Sequence, residues 1–353
     1  MFLRNHWYVA AWHDEVERRL MPRTILNESM VLFRREDGTP VALEDRCAHR
    51  RLPLSAGRLI GDSVHCSYHG LVYDCSGLCT KVPGQVVPAG TRIKTYPVVE
   101  RHRFIYVWMG DPAQADESKI VSFPRLSDPD WGITKIRLHV KANYLLIVDN
   151  LLDLSHVAYV HNTTIGNAAV AEDAEVITEQ HGDCVRITRE MINVPAPRTY
   201  AEFGGAKGNF DRWQLSEFRP PCYFLINNGS AAAGTPPGKA RLEGPGEWGF
   251  QVYHGITPET EKTTHQFWVI AHEHSAVPVT GRAEFYEQCH QVIWEDYHIY
   301  ETQQRSLDSD LHGASAEDVH STIAISADKG LFQARRTIAA MLQKEAKARE
   351  LHQ

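Results

Sequence analysis

Two short segments carry metal-binding side chains at close spacing. Cys47-Ala48-His49 is followed, after sixteen residues, by Cys66-Ser67-Tyr68-His69. Each arm supplies one thiolate and one imidazole. Thiolates suit Fe–S clusters, zinc or Cu(I). A zinc finger keeps its two cysteines close together and its two histidines close together, whereas here each arm mixes the types. That split matches a Rieske [2Fe–2S] centre, in which two cysteines hold one iron and two histidines the other. Neutral imidazoles in place of thiolates make the cluster less negative and raise its potential. Gly57, Gly61, Gly70, Gly77 and Pro83-Gly84 supply tight turns around the arms, where backbone N–H groups can approach the sulfurs. The bland alternatives are two structural thiols beside ordinary loop histidines, or a structural zinc.

A second dense segment runs from Asp149 through Asn150, Asp153 and His156 to His161. On an ideal helix Asp153 and His156 share a face. His156 and His161 are five apart and would point roughly 140° from one another. They converge only where the helix ends or bulges. Asn162-Thr163-Thr164-Ile165-Gly166 follows directly, so His156 is expected on the last regular turns and His161 at or past the end. Two histidines with one carboxylate form the facial triad of non-haem Fe(II) oxygenases, which leaves positions open for O2 and substrate. The carboxylate must come from elsewhere. The segment 288–303 reads as a helix and offers Glu295, Asp296 and Glu301. Taken alone, the two histidines could be a satisfied, half-buried pair, and an acid on a helix is most often solvated.

The remaining ligand types are less telling. Of seven cysteines, Cys75 and Cys79 read as hairpin thiols, and Cys184, Cys222 and Cys289 as core or strand residues. Of nineteen histidines, most have no assignable role. An odd cysteine count in a chain of 353 residues points to thiols and metal ligands rather than a disulfide framework. The N-terminus lacks the basic head and apolar core of a secretory signal. No run reaches the roughly 18 apolar residues of a membrane span. A net charge of -7 argues against a dedicated nucleic-acid binder. A cytoplasmic protein without membrane or nucleic-acid partners is expected.

The elements that must position these residues fall into two parts. Up to about residue 110 the chain reads as short strands, with 30–37 and 41–47 around a Gly38-Thr39-Pro40 turn, a hairpin over 63–77, and two runs in 95–110. The polar segment 111–119 is the expected boundary, giving domains of 1–112 and 113–353. Beyond it, 142–161 has helical spacing, while 174–194 and 211–229 read as strands. Residues 229–249 are rich in Gly and Pro and read as a long loop. Residues 249–273 read as a strand pair around Thr257-Pro258-Glu259-Thr260, and helices are expected over 281–306 and 328–350. The fold class is α+β.

With both constellations in order, the chain resembles the Rieske non-haem iron aromatic-ring oxygenases over nearly its whole length. Asn5-His6-Trp7-Tyr8-Val9-Ala10, Cys66-Ser67-Tyr68-His69-Gly70-Leu71, Val82-Pro83-Gly84 and Val148-Asp149-Asn150-Leu151-Leu152-Asp153 look like the branch containing vanillate O-demethylase, dicamba O-demethylase and toluenesulfonate methyl-monooxygenase. The resemblance implies an N-terminal all-β Rieske domain followed by a helix-grip-like antiparallel-sheet catalytic domain, and a homotrimer. By that resemblance Cys47 and Cys66 hold one cluster iron, and His49 and His69 the other. His156, His161 and Asp296 hold the mononuclear Fe(II). Asp153 bridges an iron-ligand histidine to a Rieske histidine of the neighbouring subunit, a role of the kind that metal histidines usually need. Asn150 lies close to the iron. His254 resembles the position that binds substrate carboxylate in the dicamba enzyme, and Asn228 is a further pocket residue.

The activity so implied is that of a terminal monooxygenase that hydroxylates or O-demethylates a small aromatic acid, methoxybenzoate-like or an aryl sulfonate, with O2. Electrons come from an NAD(P)H-dependent reductase with FMN and a plant-type [2Fe–2S] centre, or from a ferredoxin. Two alternatives stay within the Rieske class: a ring-hydroxylating dioxygenase of an aromatic carboxylate, and an electron-transfer protein without oxygenase activity. A zinc-stabilised binding module is the third.

Overall fold

The computed structural model describes residues 1–205, 208–235, 247–310, 316 and 323–350. The chain forms two compact units. One comprises Phe2–Ser122 with Thr257–Thr260, and the other Met1, Phe123–Ile256 and Glu261–Gln353.

The first unit is built from eleven short strands in three sheets. His6–Trp12 (β1), Phe104–Met109 (β11) and Val98–Arg101 (β10) form one. Met21–Ile25 (β2), Glu28–Arg34 (β3), Pro40–Glu44 (β4) and Thr95–Tyr96 (β9) form the second. Arg58–Ile60 (β5), Ser63–His65 (β6), Val72–Tyr73 (β7) and Cys79–Lys81 (β8) form the third. Val31, Phe33, Leu43, Leu54, Val64 and Tyr73 share one buried core with both arm cysteines, Cys47 and Cys66. Gly57 sits where another strand passes close. A Cβ there would lie 2.4 Å from the His65 carbonyl oxygen, so the glycine is fixed by a close approach and not by a turn.

Several expected boundaries shift. β4 ends at Glu44, so Cys47 lies on a loop and not on a strand. Residues 95–109 make three strands where two were expected. The polar segment 111–119 forms two 3-10 turns, capped by Asp111 and Asp116, within the first unit. Cys75 is half-buried, and Cys79 belongs to the core.

The second unit is a seven-stranded antiparallel sheet with helices. Its strands are Trp131–Val140 (β12), Glu175–His181 (β13), Cys184–Pro195 (β14), Asn209–Arg219 (β15), Tyr223–Ala232 (β16), Trp248–Thr260 (β17) and Thr263–Glu273 (β18). They lie in the order β12-β18-β17-β16-β15-β14-β13. The helices are Tyr144–Leu152 (α1), Val157–Val160 (α2), Ala169–Glu172 (α3), Arg198–Phe203 (α4), Val279–Asp308 (α5) and Lys329–Glu350 (α6). Among the described residues no helix is long and apolar enough to cross a membrane.

Here too the structure corrects local expectations. The strand-pair turn falls at Glu261-Lys262, not at Thr257–Thr260. The latter stretch continues β17 as a strand end whose Pro258 and Glu259 carbonyls accept the Leu26 and Asn27 N–H groups at 2.9 and 2.8 Å. Pro258 is tolerated because only its carbonyl is needed there. The loop expected over 229–249 is shorter, since Gly229–Ala232 complete β16 and Trp248 starts β17; residues 236–246 lie outside the described residues.

Candidate functional site

In the first unit the two arms are built alike. Cys47 N–H donates to the Leu52 carbonyl at 2.9 Å, and Cys66 N–H to that of Leu71 at 2.8 Å. Arg51 and Gly70, each four residues on, donate back to the cysteine carbonyls at 2.9 and 3.0 Å. Both residues are left-handed, with φ of 59° and 70°. Gly70 adopts this freely, whereas Arg51 carries strain of about 1–2 kcal/mol. Both loops turn their cysteine into the core and leave His49 and His69 exposed, with ring centroids 4.5 Å apart. The Tyr73 hydroxyl accepts the Ala48 N–H at 3.0 Å and lies 3.2 Å from Cys47 Sγ, so its own proton is available to the sulfur. Burial pushes the Cys66 thiol up, and hydrogen bonds from the Tyr68 and His69 backbones pull it back. A bare thiolate is disfavoured there, and a bound iron would supply the missing positive charge.

Buried thiols, N–H donors aimed at sulfur and two solvent-side imidazoles fit a Rieske cluster. The four side chains do not converge on one point. Among the described residues only His156, His161 and Asp296 bring three such ligand atoms within 4.8 Å of one another. A tetrahedral zinc site needs all its ligand atoms within about 4 Å of each other, so the arms suit a two-iron cluster better than a single ion.

In the second unit, α1 is capped by Asn143, whose Oδ1 accepts the Leu145 N–H at 2.9 Å, and is held by the Asp149–Arg335 ion pair. It stops at Leu152, before His156 and not after it. Asp153 breaks it, with φ -116°, and accepts the Ser155 N–H at 2.9 Å to start a 3-10 turn, Leu154–His156. The helical relation expected between Asp153 and His156 therefore does not apply. His156 Nδ1 meets the Asp153 backbone carbonyl at 2.5 Å. His161 is the C-cap of α2. The interruption brings the two rings to 5.3 Å, centroid to centroid.

Asp296 arrives from the middle of α5. Its Oδ1 lies 3.6 Å from His156 Nε2 and 3.2 Å from His161 Nε2. Two ligands at right angles on an ion about 2.1 Å away stand about 3 Å apart, so the trio fits a single ion. Burial alone would raise Asp296, but the adjoining His161 and His156 outweigh it and hold the carboxyl below its usual range. Asn150 Nδ2 reaches the same oxygen at 3.4 Å, and the Tyr300 hydroxyl donates to Asn150 Oδ1 at 3.1 Å. Glu295, an alternative ligand on sequence grounds, instead meets His161 Nδ1 at 2.7 Å while accepting from Gln291 at 2.8 Å. Successive residues on a helix point about 100° apart, so one acid faces the metal position and its neighbour the back of the ring. Glu301 accepts the Lys141 N–H at 3.0 Å and takes no part.

The trio forms one wall of a cavity lined mainly by apolar side chains, among them Leu151, Ile226, Phe250, Val252 and Trp268. His254 and Asn228 both line it. Gln214 also lines it and donates to Asn228 Oδ1 at 3.4 Å. Sequence reading missed Gln214 and Tyr300, because a glutamine on a strand or a tyrosine on a helix carries no spacing signal. It also missed Tyr73, which lies 26 positions from Cys47 in sequence.

Comparison with known proteins agrees with both halves. Residues 6–97 match the Rieske [2Fe-2S] domain model, and 140–344 match the vanillate O-demethylase oxygenase C-terminal domain. The chain is 38% identical over 349 residues to the toluene-4-sulfonate monooxygenase system iron-sulfur subunit of Comamonas testosteroni, covering 98% of both. It is 35% identical over 357 residues to a vanillate O-demethylase oxygenase subunit from Pseudomonas sp. (strain HR199 / DSM 7063), covering 99% of this chain and 97% of that protein. Its fold matches the crystal structure of dicamba monooxygenase bound to dicamba, with a TM-score of 0.86 and 30% identity over 98% of this chain and 99% of that one. The chain belongs to the Rieske non-haem iron oxygenases, in the vanillate O-demethylase branch. It is a monooxygenase of that class, an oxygenase component that works with a separate electron-supplying partner.

Proposed function

We propose that this oxygenase hydroxylates or O-demethylates a small aromatic acid, with O2 and with electrons from an NAD(P)H-dependent reductase carrying FMN and a plant-type [2Fe–2S] centre, or from a ferredoxin. The observation that carries this reading is the convergence of His156, His161 and Asp296 on the wall of a cavity lined mainly by apolar residues, in a chain that also holds a Rieske domain. Residues 1–112 would carry the cluster, and 113–353 the catalytic iron. Cys47 and Cys66 would hold one cluster iron, His49 and His69 the other, and the trio would hold the mononuclear Fe(II). When bound, the cluster relays single electrons and the mononuclear iron activates O2.

The chain's own residues set the geometry around that chemistry. The Asp153 carbonyl and the Glu295 carboxylate fix the two imidazoles so that both Nε2 atoms face Asp296. One Asp153 oxygen caps the turn, and we assign the other to a neighbouring copy's His69 in a homotrimer. The apolar lining excludes water from the reacting carbon. Burial holds His254 down to about 3, so it stays neutral. Gln266 Nε2 lies 3.3 Å from His254 Nδ1, which leaves Nε2–H as a donor. With Asn228 it orients the substrate by hydrogen bonds. Attack on a methoxy carbon yields a hemiacetal that collapses to a phenol and formaldehyde. All seven cysteines are free, which suits the proposed cytoplasmic location.

Product analysis with a generic reductase tests the reading, using vanillate, 3-methoxybenzoate, toluenesulfonate and phthalate. Formaldehyde release, or hydroxylation of the toluenesulfonate methyl, is expected. Cis-diol formation from phthalate would make the enzyme a ring dioxygenase. Metal analysis is expected to show about three irons per chain, two in the cluster and one mononuclear. About two would leave an electron carrier, and zinc in their place a binding module.

A further inference from the structure

Two buried residues that do not line the cavity join its two chemically active ends. Gln266 on β18 and Tyr300 on α5 are both 0% exposed, and neither is among the residues lining the cavity. Gln266 Nε2 donates to His254 Nδ1 at 3.3 Å and also to the Tyr300 hydroxyl oxygen. The Tyr300 hydroxyl donates in turn to Asn150 Oδ1 at 3.1 Å, and Asn150 Nδ2 to Asp296 Oδ1 at 3.4 Å. An unbroken row of hydrogen bonds therefore runs from an imidazole on the cavity wall to the carboxylate beside His156 and His161. Its members come from α1, β17, β18 and α5.

The row has one sense. Gln266, Tyr300 and Asn150 each donate toward Asp296, which as a carboxylate can only accept. Hydrogen bonds aligned in this way polarise one another. At the metal end, the Asn150 contact helps to hold the Asp296 carboxyl below its usual range. At the other end, the Gln266 N–H occupies the Nδ1 lone pair of His254, and the Phe224 ring crosses the imidazole at 75° with centroids 6.4 Å apart. Gln266 Oε1 is buried and makes no hydrogen bond. An unpaired buried oxygen is unfavourable and calls for a reason. The amide nitrogen supplies it: its two hydrogens serve the imidazole and the phenol at once.

We propose that Gln266 and Tyr300 are positioning residues that tie the substrate-facing imidazole of His254 to the metal-ligand carboxylate of Asp296, so that filling either site orders the other. The proposal rests on the reading of His254 as a substrate contact and of Asp296 as an iron ligand. A substrate oxygen that accepts the His254 Nε2–H makes Nδ1 a better acceptor, and so fixes the Gln266 amide. The fixed amide holds Tyr300, and through it Asn150, in the rotamers that present Nδ2 to Asp296. A metal on Asp296 fixes the same row from the opposite end. Whichever ligand arrives first bears the ordering cost, and the second binds more tightly. Thermodynamic linkage makes the effect reciprocal.

The test is calorimetric binding of a neutral probe, 3-methoxybenzamide, to the full chain with its cluster in place. The probe carries no net charge for a metal ion to attract. The mononuclear site is either emptied with a chelator or filled with Fe(II) in the absence of O2. In the wild type, Fe(II) should tighten the probe about fivefold or more, the low end of typical coupling between sites, and the probe should tighten Fe(II) by the same factor. Tyr300→Phe removes one hydroxyl and keeps the ring. It should bring both factors close to one while leaving the probe's affinity for the metal-free chain unchanged. Gln266→Leu should also abolish the coupling, and should weaken the probe in both metal states because the His254 tautomer is released. Gln214→Leu, which alters the cavity wall and not the row, should weaken the probe but keep the coupling. If Gln266→Leu fails to fold, Tyr300→Phe decides. Coupling that survives Tyr300→Phe, that is lost equally in Gln214→Leu, or that is absent from the wild type, including through failure of the probe to bind, would overturn the proposal. Turnover separates it from the reading on which it rests. Coupled binding without any oxidised product sinks the oxygenase reading and leaves the linkage. Formaldehyde released without any coupling does the reverse.

Discussion

The two metal-binding regions solve the same problem in opposite ways. At the cluster arms, each pair of ligands comes from one loop of a few residues, closed by its own backbone hydrogen bonds and backed by one shared core. The cysteines are buried while the histidines face solvent. At the trio, every ligand is at least half-buried, and the carboxylate comes from a helix 135 positions beyond His161. Local loops suit an electron relay, which needs one exposed edge. A site that handles O2 and an organic substrate needs walls, and only packed sheet and helices supply them. So the first site tolerates local change better than the second, whose geometry depends on α1, α2 and α5 together.

Asp296→Ala breaks this comparison at its strongest point. It should empty the mononuclear site and abolish turnover while the cluster's visible spectrum persists. Iron content that stays unchanged would move the ligand elsewhere, to Glu295 or Glu301. Asp153→Asn is expected to keep both metals and lose most activity, because the charge assigned to the junction between copies is gone while the Ser155 cap survives. Full coupled turnover would remove Asp153 from that role. Glu295→Gln should lower iron affinity or kcat by about 10–100-fold, the usual effect of losing a metal histidine's carboxylate partner. Wild-type iron retention would show that the contact is incidental. Tyr73→Phe sharpens the other side. Loss of a hydrogen bond to Cys47 Sγ should lower the cluster potential by tens of millivolts, roughly the 1 kcal/mol of one such bond. A potential within a few millivolts of wild type would mean that the hydroxyl serves only Ala48.

How far each region was legible follows from how it is built. The cysteine–histidine arms could be read directly, because four ligands within 23 residues leave a spacing signature. The histidine pair was legible as a helix end, though α1 stops one turn earlier than expected. Asp153 is the reason: an aspartate that can accept the second following N–H competes with helix continuation. The turn after β17 was misplaced because Thr-Pro-Glu-Thr has turn composition. Tertiary pairing with Leu26 and Asn27 overrides that local preference.

The sequence by itself determined the ligand types, the two-part organisation and the family, since these rest on residue identity and short-range spacing. Residue spacing left Glu295, Asp296 and Glu301 open and the family resemblance pointed to Asp296; the tertiary structure sets Asp296 against the histidines, and it alone decided that Glu295 braces His161 from behind. It alone set His254 neutral, by burying it. It also buried Arg212 one row behind the cavity wall, with its guanidinium over the Tyr200 ring. Those outcomes depend on helix phase and on which strands become neighbours. They are fixed by the packing of segments far apart in the chain, which no local pattern encodes.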